Sequence, residues 1–343
     1  MSGGVVASLP EGLLDGGVWF RVEAAPTAST VRRTAERLAV ELGVPERRIA
    51  DLSIVAAETA GNLAKHADQG VLLVRAVRTR EQAGVELIAL DSGPGMADLA
   101  FAMEDGHSTA GTLGIGLGAI IRQATWSDLH SVPGKGTVLA VQVWPAGPPP
   151  IAWAAGLTRP LTGEQVSGDN FAVRVADGRH QVMMCDGLGH GGLAAAASHE
   201  AVRAFTDAPA VPPDAVLELL HRRLHHTRGA AVAVAELDPD AGLVRYAGLG
   251  NISGTVLSPD GARRGMVSLP GIAGHQRRQI RQFDYPITPD AVVVMHSDGV
   301  VDRWSPTDYP GLLTHSPLVI AATVLRDAGV RRDDAGVVVA RLP

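Results

Sequence analysis

The sequence predicts an α+β protein built of two domains, and three observations support this class. The chain has 343 residues, more than one domain usually holds. Its first part alternates long helical patterns with strands, whereas its second part is richer in strands. A stretch at residues 145–150 (PAGPPP) separates the two parts and predicts a stiff linker, because proline fixes φ and restrains the residue before it. We expect domains over residues 15–145 and 156–343, joined by a linker over residues 146–155.

The composition predicts a soluble protein. Apolar residues make up 46% of the chain, which is enough for two cores, although only 4% is aromatic. The net charge is −6 and no basic tract is present, so we expect no nucleic-acid partner. The one cysteine, Cys185, excludes an internal disulfide and fits a reducing compartment. No stretch approaches the roughly 18 uninterrupted apolar residues of a membrane span. We therefore expect a cytoplasmic protein with no membrane partner.

The first part predicts two helices followed by strands. Residues 30–42 have a helical period of apolar residues, with Ser29 as an N-cap and Gly43 as the end signal. Residues 47–66 form a second, longer helical pattern. Strands are predicted over residues 71–77, 85–90 and 137–143.

The second part predicts a sandwich of sheets covered by helices. Helices are expected over residues 192–206, 213–227 and 317–327. Strands are expected over residues 171–176, 181–185, 230–236, 243–248, 253–258, 279–284, 291–296 and 336–341.

A candidate nucleotide site begins on the second helix. Glu58 and Asn62 stand four residues apart and therefore share one helix face. Asn62 offers a neutral oxygen to Mg²⁺, and Glu58 can accept a proton. Asp91 ends a predicted strand, and its carboxylate can accept a hydrogen bond from an exocyclic amine such as that of adenine. Gly93 and Gly95 follow it and allow a ring to approach the backbone.

A glycine-rich run completes this pattern. It precedes an apolar helical segment, so its N–H groups and the helix N-terminus favour phosphate. Thr137 reopens a strand, where its hydroxyl could reach the base through water. Each feature alone is weak, because such pairs and turns are common, but their order and spacing are more specific. The glycines of the run are Gly111, Gly114, Gly116 and Gly118.

Residues from about 25 to 143 resemble the GHKL-type ATPases, a histidine-kinase-like group with the Bergerat α/β sandwich fold. Within this group, these residues most resemble the small anti-sigma and switch serine kinases (RsbT/RsbW-like). The resemblance implies ATP with Mg²⁺ as cofactor. It implies that Asn62 holds Mg²⁺, that Glu58 is the base and that Asp91 reads adenine. Phosphoryl transfer needs mainly positioning and charge neutralisation, so few residues suffice.

The second part places carboxylates next to strands predicted to be buried. These residues are Asp169, Asp186, Asp298 and Asp333. Several carboxylates at one spot repel each other unless cations lie between them. Oxygen ligands select hard ions such as Mg²⁺ or Mn²⁺, and two such ions can make a water attack phosphorus.

Residues from about 155 to 343 resemble the PPM-type metal-dependent serine/threonine phosphatases, nearest to their SpoIIE and RsbX-like branch, with an α-β-β-α sandwich. The resemblance implies two Mn²⁺ or Mg²⁺ ions. Asp186 would bridge both ions, and the Gly187 carbonyl would bind one. Asp298, Asp333 and Asp169 match the other acidic positions of that metal centre.

Two departures from this pattern concern the phosphatase half. Gly336 stands where the family usually has Thr, which predicts looser support for the last ligand. A basic phosphate-binding residue is not evident in the sequence. His190 either donates a proton to the leaving serine or has a packing or surface role.

Three functional hypotheses follow. The first is a bifunctional partner-switching regulator, in which the phosphatase domain acts on a STAS-type anti-sigma-factor antagonist or stressosome-type protein and the kinase domain acts on the same or a related protein. The second keeps only the phosphatase, with the ATPase-like domain as nucleotide sensor or docking module. In the third, that domain is a binding module that captures a regulator such as a sigma factor or a STAS protein. The resemblance also allows a homodimer.

Overall fold

The computed structural model describes residues 17–99, 116–147, 152–302, 304–330 and 332–343. The chain divides into two compact units, Met1–Ile151 and Ala152–Pro343. The division lies inside the segment expected as linker. Its C-terminal limit differs from the structure, because the first strand of the second unit already begins at Ala154. That strand pairs with the last strand of the chain and thus belongs to the second unit.

The first unit is one antiparallel sheet with helices against it. The strand order is β1-β2-β3-β5-β4. Its elements are β1 (Val18–Arg21), α1 (Ala25–Glu41), α2 (Glu46–His66), β2 (Val71–Arg78), β3 (Ala83–Asp91), α3 (Gly116–Gln123), β4 (Trp126–Val132) and β5 (Gly136–Val143).

The core of this unit lies between α1, α2 and one face of the sheet. Leu52 and Val55 of α2 are fully buried there, together with Leu72 of β2 and Leu87 of β3. Their spacing on α2 is that of a helix stripe, whereas the strand residues belong to one face of the sheet. The packing therefore holds α2 against the strands that end near Asp91.

One prediction for the first unit was wrong, and two of its strands were not predicted. Ser29 is not the cap of α1, since the helix begins at Ala25 with Pro26 in its first turn, where proline needs no N–H partner. Strands β1 and β4 were not predicted, because they lie at the two edges of the sheet and most of their residues are only partly buried. The end of α1 agrees with the prediction, as Gly43 has a left-handed φ of 71°.

The second unit contains two sheets. One has the order β13-β10-β9-β8-β7, with β14 also paired to β10, and the other has the order β12-β11-β15-β16-β6. The elements are β6 (Ala154–Arg159), β7 (Asp169–Ala176), β8 (Arg179–Gly187), α4 (Gly192–Asp207), α5 (Pro213–Arg223), β9 (Ala230–Asp238), β10 (Leu243–Leu249), β11 (Ser253–Leu257), β12 (Arg263–Met266), β13 (Ser268–Leu269), β14 (Phe283–Pro286), β15 (Val292–His296), α6 (Pro317–Ala328) and β16 (Ala335–Arg341).

Helices cover both sheets. Helices α4 and α5 pack on the sheet of β7 to β10, whereas α6 packs on β6 and β16. A buried cluster that includes Met184, Tyr246, Val293 and Val338 draws residues from both sheets. The two-domain α+β class and the α-β-β-α arrangement predicted for this half are confirmed.

Some boundaries in the second unit differ from the prediction. The helix expected over residues 213–227 ends at Arg223, and a short 3₁₀ turn follows over Leu224–His226. The strand expected over residues 279–284 is instead β14, because residues 279 and 281 point into solvent and only the later part pairs with β10. Among the described residues, no helix is long and apolar enough to cross a membrane.

Candidate functional site

Two aspartates face each other where β7 begins and β8 ends. Asp169 opens β7, and Asp186 lies opposite it in the antiparallel register. Asp169 is only 2% exposed, whereas Asp186 is partly buried. Neighbouring strands lie about 4.8 Å apart, so their backbones bring both carboxylates to one end of the sheet.

Asp169 is held on one side only. Its Oδ2 accepts a hydrogen bond of 2.5 Å from the Ser297 hydroxyl. Its Oδ1 is buried and has no hydrogen-bond partner among the residues that the structure describes. Burial, followed by repulsion from Asp186, raises the pKa of Asp169 well above its ordinary value, and the bond from Ser297 offsets part of this.

The carboxylate of Asp186 is the centre of this acidic group. Burial, followed by the negative charges of Asp298, Asp333 and Asp334, raises its pKa from 3.8 to about 7, and a hydrogen bond with Asp169 offsets part of this rise. These side chains come from three separate parts of the chain. The structure therefore brings Asp298, Asp333 and Asp334 close enough to Asp186 for their charges to act on it.

Asp298 lies in the turn after β15 and is exposed. Its Oδ2 accepts a hydrogen bond of 2.7 Å from Asn251 Nδ2. Asn251 follows β10 and was not among the predicted site residues. A Gly-Asn turn after a buried strand was the signal that could have indicated it.

Adjacent aspartates have different environments at the start of β16. Asp334 is buried, and its two oxygens accept hydrogen bonds from Leu161 N–H at 2.7 Å and Gly168 N–H at 2.9 Å. Asp333 is exposed, and its Oδ1 accepts from Asp334 N–H at 2.9 Å. Asp334 therefore anchors the loop before Asp169, whereas Asp333 presents its carboxylate to solvent.

Glycines let these segments approach. Gly187 ends β8, and a Cβ on it would lie 2.2 Å from the backbone oxygen of Ala194 in α4. Gly299 follows Asp298, and a Cβ there would lie 1.8 Å from the backbone oxygen of Asp334. No side chain fits at either distance, so the close packing of the acidic segments requires glycine at both positions.

Gly336 is the position at which looser support for the last ligand was expected, and its N–H is hydrogen-bonded. The Ser297 hydroxyl accepts a hydrogen bond of 3.0 Å from Gly336 N–H and donates to Asp169. A Cβ on Gly336 would lie 2.3 Å from Met184 Cε and 3.2 Å from Asp169 Cβ. Ser297 thus links Gly336 to the acidic centre, and its hydroxyl was not among the predicted groups.

His190 lies at the surface of the loop after β8. Its Nδ1 is 3.1 Å from Oε1 of Glu164, and its side chain is 64% exposed. Glu164 also lies beside Gly191 of the same loop. The contact orients the imidazole four residues beyond Asp186. Cys185, the residue before Asp186, is fully buried, and burial raises the pKa of its thiol.

The acidic centre fits a divalent cation with oxygen ligands. Asp169 Oδ1 is a buried acceptor without a donor, and a cation would satisfy it. Within the described ranges of the chain, no three His, Cys, Asp or Glu side chains close on one point as a finished ligand set. An ion here would also use water or a backbone carbonyl such as that of Gly187, which is usual for Mg²⁺ and Mn²⁺.

The first unit brings the predicted adenine loop against the end of α2. Ser92 N–H donates to Asp68 O at 3.0 Å, just after that helix. Asp91 Oδ1 accepts from Gly93 N–H at 2.8 Å, which shapes the turn. Glu58 and Asn62 are both partly buried on α2. Asn62 stands one turn before the helix end at which this loop packs.

Thr137 lies opposite Asp91 in the pairing of β3 and β5. Its Oγ1 is 2.9 Å from the Ser131 hydroxyl, which also accepts from Met96 N–H at 2.9 Å. Ser131 thereby ties Thr137 to the segment after Gly95. A Cβ on Gly95 would lie 2.1 Å from Val132 O, so this turn also requires glycine.

The glycine-rich run is described only at its end. Gly116 is the first residue of α3, and Gly118 is buried within it. Helix α3 packs against α2. Gly111 and Gly114 lie outside the described residues, and their expected phosphate contacts stay a prediction.

Comparison with known proteins finds a family match for each of the two units. A model described as Stage II sporulation protein E (SpoIIE) matches residues 176–343, and one described as Histidine kinase-like ATPase domain matches residues 20–143. The serine/threonine-protein kinase RsbT of Bacillus subtilis (strain 168) is 35% identical over 113 residues, which cover 33% of this chain and 85% of RsbT.

Solved structures are also similar. One of the bacterial stressosome, described as a modular system adapted to control secondary messenger signaling, is 30% identical. It covers 55% of this chain and 98% of its own, with a TM-score of 0.50. A structure of RsbX in complex with magnesium is 17% identical, covers 55% of this chain and 94% of its own, and has a TM-score of 0.47.

These matches define a chain in which a GHKL-like ATPase domain precedes a SpoIIE-type domain with the PPM phosphatase fold. The chain belongs to the family of the serine/threonine-protein kinase RsbT. A kinase-like domain joined to a phosphatase domain is the architecture of a partner-switching regulator.

Proposed function

We propose that the second unit is a metal-dependent phosphoserine phosphatase. The observation that carries this proposal is the gathering of Asp169, Asp298 and Asp333 around Asp186, with a buried oxygen of Asp169 left without a donor. Such a centre binds cations more readily than it serves as a structural core, because uncompensated buried carboxylates destabilise a fold.

The chain's own residues have separate parts in this proposal. Asp186, the Gly187 carbonyl, Asp298 and Asp333 hold two Mn²⁺ or Mg²⁺ ions, with Asp169 beside them. When bound, such ions neutralise the phosphate charge and supply a nucleophile at neutral pH. Ser297 and Asn251 fix the orientation of two of the carboxylates through their hydrogen bonds.

His190 is the proposed proton donor to the leaving serine oxygen. It is exposed and is oriented by Glu164, so it can move a proton between solvent and a bound substrate. His190→Ala should slow hydrolysis of a phosphoserine peptide more than that of p-nitrophenyl phosphate, whose leaving group needs no proton. Equal rates for wild type and variant on both substrates would leave His190 a surface residue.

For the first unit we propose a serine kinase that uses ATP with Mg²⁺. Asn62 would hold the Mg²⁺, Glu58 would accept the serine proton and Asp91 would bind adenine. The support is the family membership and the packing of the Asp91 loop against the end of α2. The proposed substrate of both units is a STAS-type antagonist of an anti-sigma factor or a related stressosome-type protein, as the resemblance implies.

One experiment tests both activities. The purified chain would be mixed with Mn²⁺ and a phosphorylated STAS-domain protein, with and without ATP, and phosphoserine would be followed by mass. We expect phosphate loss without ATP and its return with ATP. Loss that ATP never reverses would leave a phosphatase whose first unit senses nucleotide or docks a regulator. No loss with Mn²⁺ would contradict the proposed phosphatase.

Variants separate the two halves. Asp186→Ala should abolish phosphate loss and keep the ATP-dependent transfer. Asn62→Ala should abolish the ATP-dependent transfer and keep the phosphate loss. Transfer by that variant would contradict the proposed kinase site.

A further inference from the structure

An exposed, arginine-rich surface adjoins the loop after β8 in the second unit. Two segments form it, residues 221–228 at the end of α5 and residues 274–281 before β14. We call it the arginine surface. It carries the exposed residues Arg222, Arg223, Arg228, Arg277, Arg278 and Arg281.

Hydrogen bonds hold its two segments together. Gly274 N–H donates to His221 Nδ1 at 3.1 Å, and His275 Nε2 lies 3.1 Å from Thr227 O. Ala273 and the first residue of β9 exchange backbone hydrogen bonds. The arginines therefore belong to one surface although some 50 residues separate them in the chain.

The arginine surface also contacts the loop that follows Asp186. Leu188 N–H, in the loop after Asp186, donates to Gly229 O at 3.0 Å. The Arg228 guanidinium lies beside Gly189, with Nη1 3.0 Å from the position that a Cβ would take. Gly189 is three residues beyond Asp186, about 10 Å for an extended chain. Arg228 therefore flanks the loop that leads out of the acidic centre, so a protein bound at that centre would extend towards the arginine surface.

Charge within the protein balances only part of this surface. Arg223 pairs with Glu200 at 2.9 Å and Arg277 with Glu218 at 2.6 Å. For Arg222, Arg228 and Arg278, the described residues include no acidic partner. This cationic face stands out in a chain with a net charge of −6. The guanidinium fork suits carboxylates and phosphates, so the chemistry that it would recognise is anionic.

We propose that the arginine surface docks an acidic stretch of the phosphoprotein on which the second unit acts, next to its phosphoserine. The inference rests on the proposed phosphatase function. Charge complementarity at this place would speed encounter and select acidic substrates. A protein is favoured over nucleic acid because the surface starts at the loop after β8. Among its described residues, the ring contacts are those of Arg281 with Phe283 and of His225 with His226, and neither leaves a row of open aromatic faces for bases.

The test compares two phosphoserine peptides, one flanked by glutamates and one by lysines, with p-nitrophenyl phosphate as a small substrate. The full chain with Mn²⁺ is used, and kcat/KM is measured for wild type, Arg222→Glu and Arg278→Glu. The matched control is Arg264→Glu, an exposed arginine on edge strand β12 of the other sheet.

We expect wild type to prefer the glutamate peptide. Arg222→Glu and Arg278→Glu should each lower kcat/KM for the glutamate peptide about five- to tenfold, mainly by raising KM. The loss should be smaller in high salt, because salt screens surface charges. Rates on p-nitrophenyl phosphate and all rates of the Arg264→Glu control should stay near wild type.

Several outcomes would overturn the inference. Equal wild-type rates on the two peptides would remove charge selection, and an equal loss in Arg264→Glu would show a general effect of charge. If the variants lost affinity for a DNA oligonucleotide while peptide rates held, the surface would serve nucleic acid. If wild type hydrolysed none of the three substrates, the proposed function would fail first and this inference with it.

Discussion

Asp169 combines a satisfied and an unsatisfied oxygen in one buried side chain. Ser297 donates to Oδ2, while Oδ1 has no donor. A folded core rarely keeps such an acceptor without a use, because an unmet buried polar atom costs about 1–3 kcal/mol. At the scale of single residues, the acidic centre is thus poised for a cation at some expense of stability.

Asp186→Asn should abolish hydrolysis of p-nitrophenyl phosphate and, without metal, should raise the melting temperature. The amide removes a charge that burial and Asp298 disfavour. Thermal unfolding with and without Mn²⁺ measures this. The stabilisation by Mn²⁺ seen for wild type should shrink in the variant, and retained hydrolysis would contradict the ligand assignment.

Ser297→Ala should destabilise the second unit by about 1.5–3 kcal/mol, since it removes a hydrogen bond to a carboxylate and the acceptor of Gly336 N–H. Chemical denaturation measures the change. Ser305→Ala is the control, because among the described residues that hydroxyl pairs with the Thr307 hydroxyl at the surface. Equal free energies of unfolding for the two variants would show that the Ser297 hydrogen bonds do not stabilise the second unit.

At the scale of elements, strand ends and tight turns bring the site residues together. Strands β7 and β8 deliver two aspartates in register, and the turns after β15 and before β16 bring the others. The turn after β15 can approach Asp334 only because Gly299 has no side chain. The site therefore depends on backbone contacts as much as on carboxylates.

Gly299→Ala should unfold the second unit or destabilise it by more than about 2 kcal/mol, because the added Cβ would overlap the backbone oxygen of Asp334. Expression level and thermal unfolding are the measurements. Gly265→Ala in β12 is the control, since nothing lies within 4 Å of its Cβ position. A wild-type melting temperature for Gly299→Ala would contradict the packing described here.

At the scale of the whole molecule, the two units have separate cores and separate candidate sites. Each set of site residues lies within one unit, so the chemistry of one does not require residues of the other. The proposed kinase and phosphatase activities can therefore be tested by variants in one unit at a time.

The stability of the metal-free protein should depend on pH in a direction set by Asp186. Its pKa rises from 3.8 to about 7 on folding, so between these values the unfolded state binds fewer protons than the folded state. The free energy of unfolding should therefore fall as the pH rises from about 4 to about 7. Denaturation in a chelator at several pH values tests this. Asp186→Asn should make the fall shallower without removing it, because the pKa of Asp169 is raised in the same direction.

Much of the architecture could be predicted from local patterns. The helix stripe of α2, the apolar runs of β8 and β15 and the proline-rich break are short-range signals, and they led to the two-domain class. Edge strands β1 and β4 were missed because their residues are only partly buried and carry no clear period. The acidic positions were visible because carboxylates beside buried strands are rarely structural.

Other features depend on contacts between distant parts of the chain. That Asp334 is buried while Asp333 is exposed follows from the approach of residues 161 and 168 to β16. The Ser297 bond to Asp169 joins residues 128 apart, and the arginine surface joins α5 to the segment before β14. Local propensity carries no information on such pairs, because they form only when packed sheets bring remote turns within hydrogen-bonding distance. Residue type and order thus specified the chemistry available to this protein, and packing selected which groups meet.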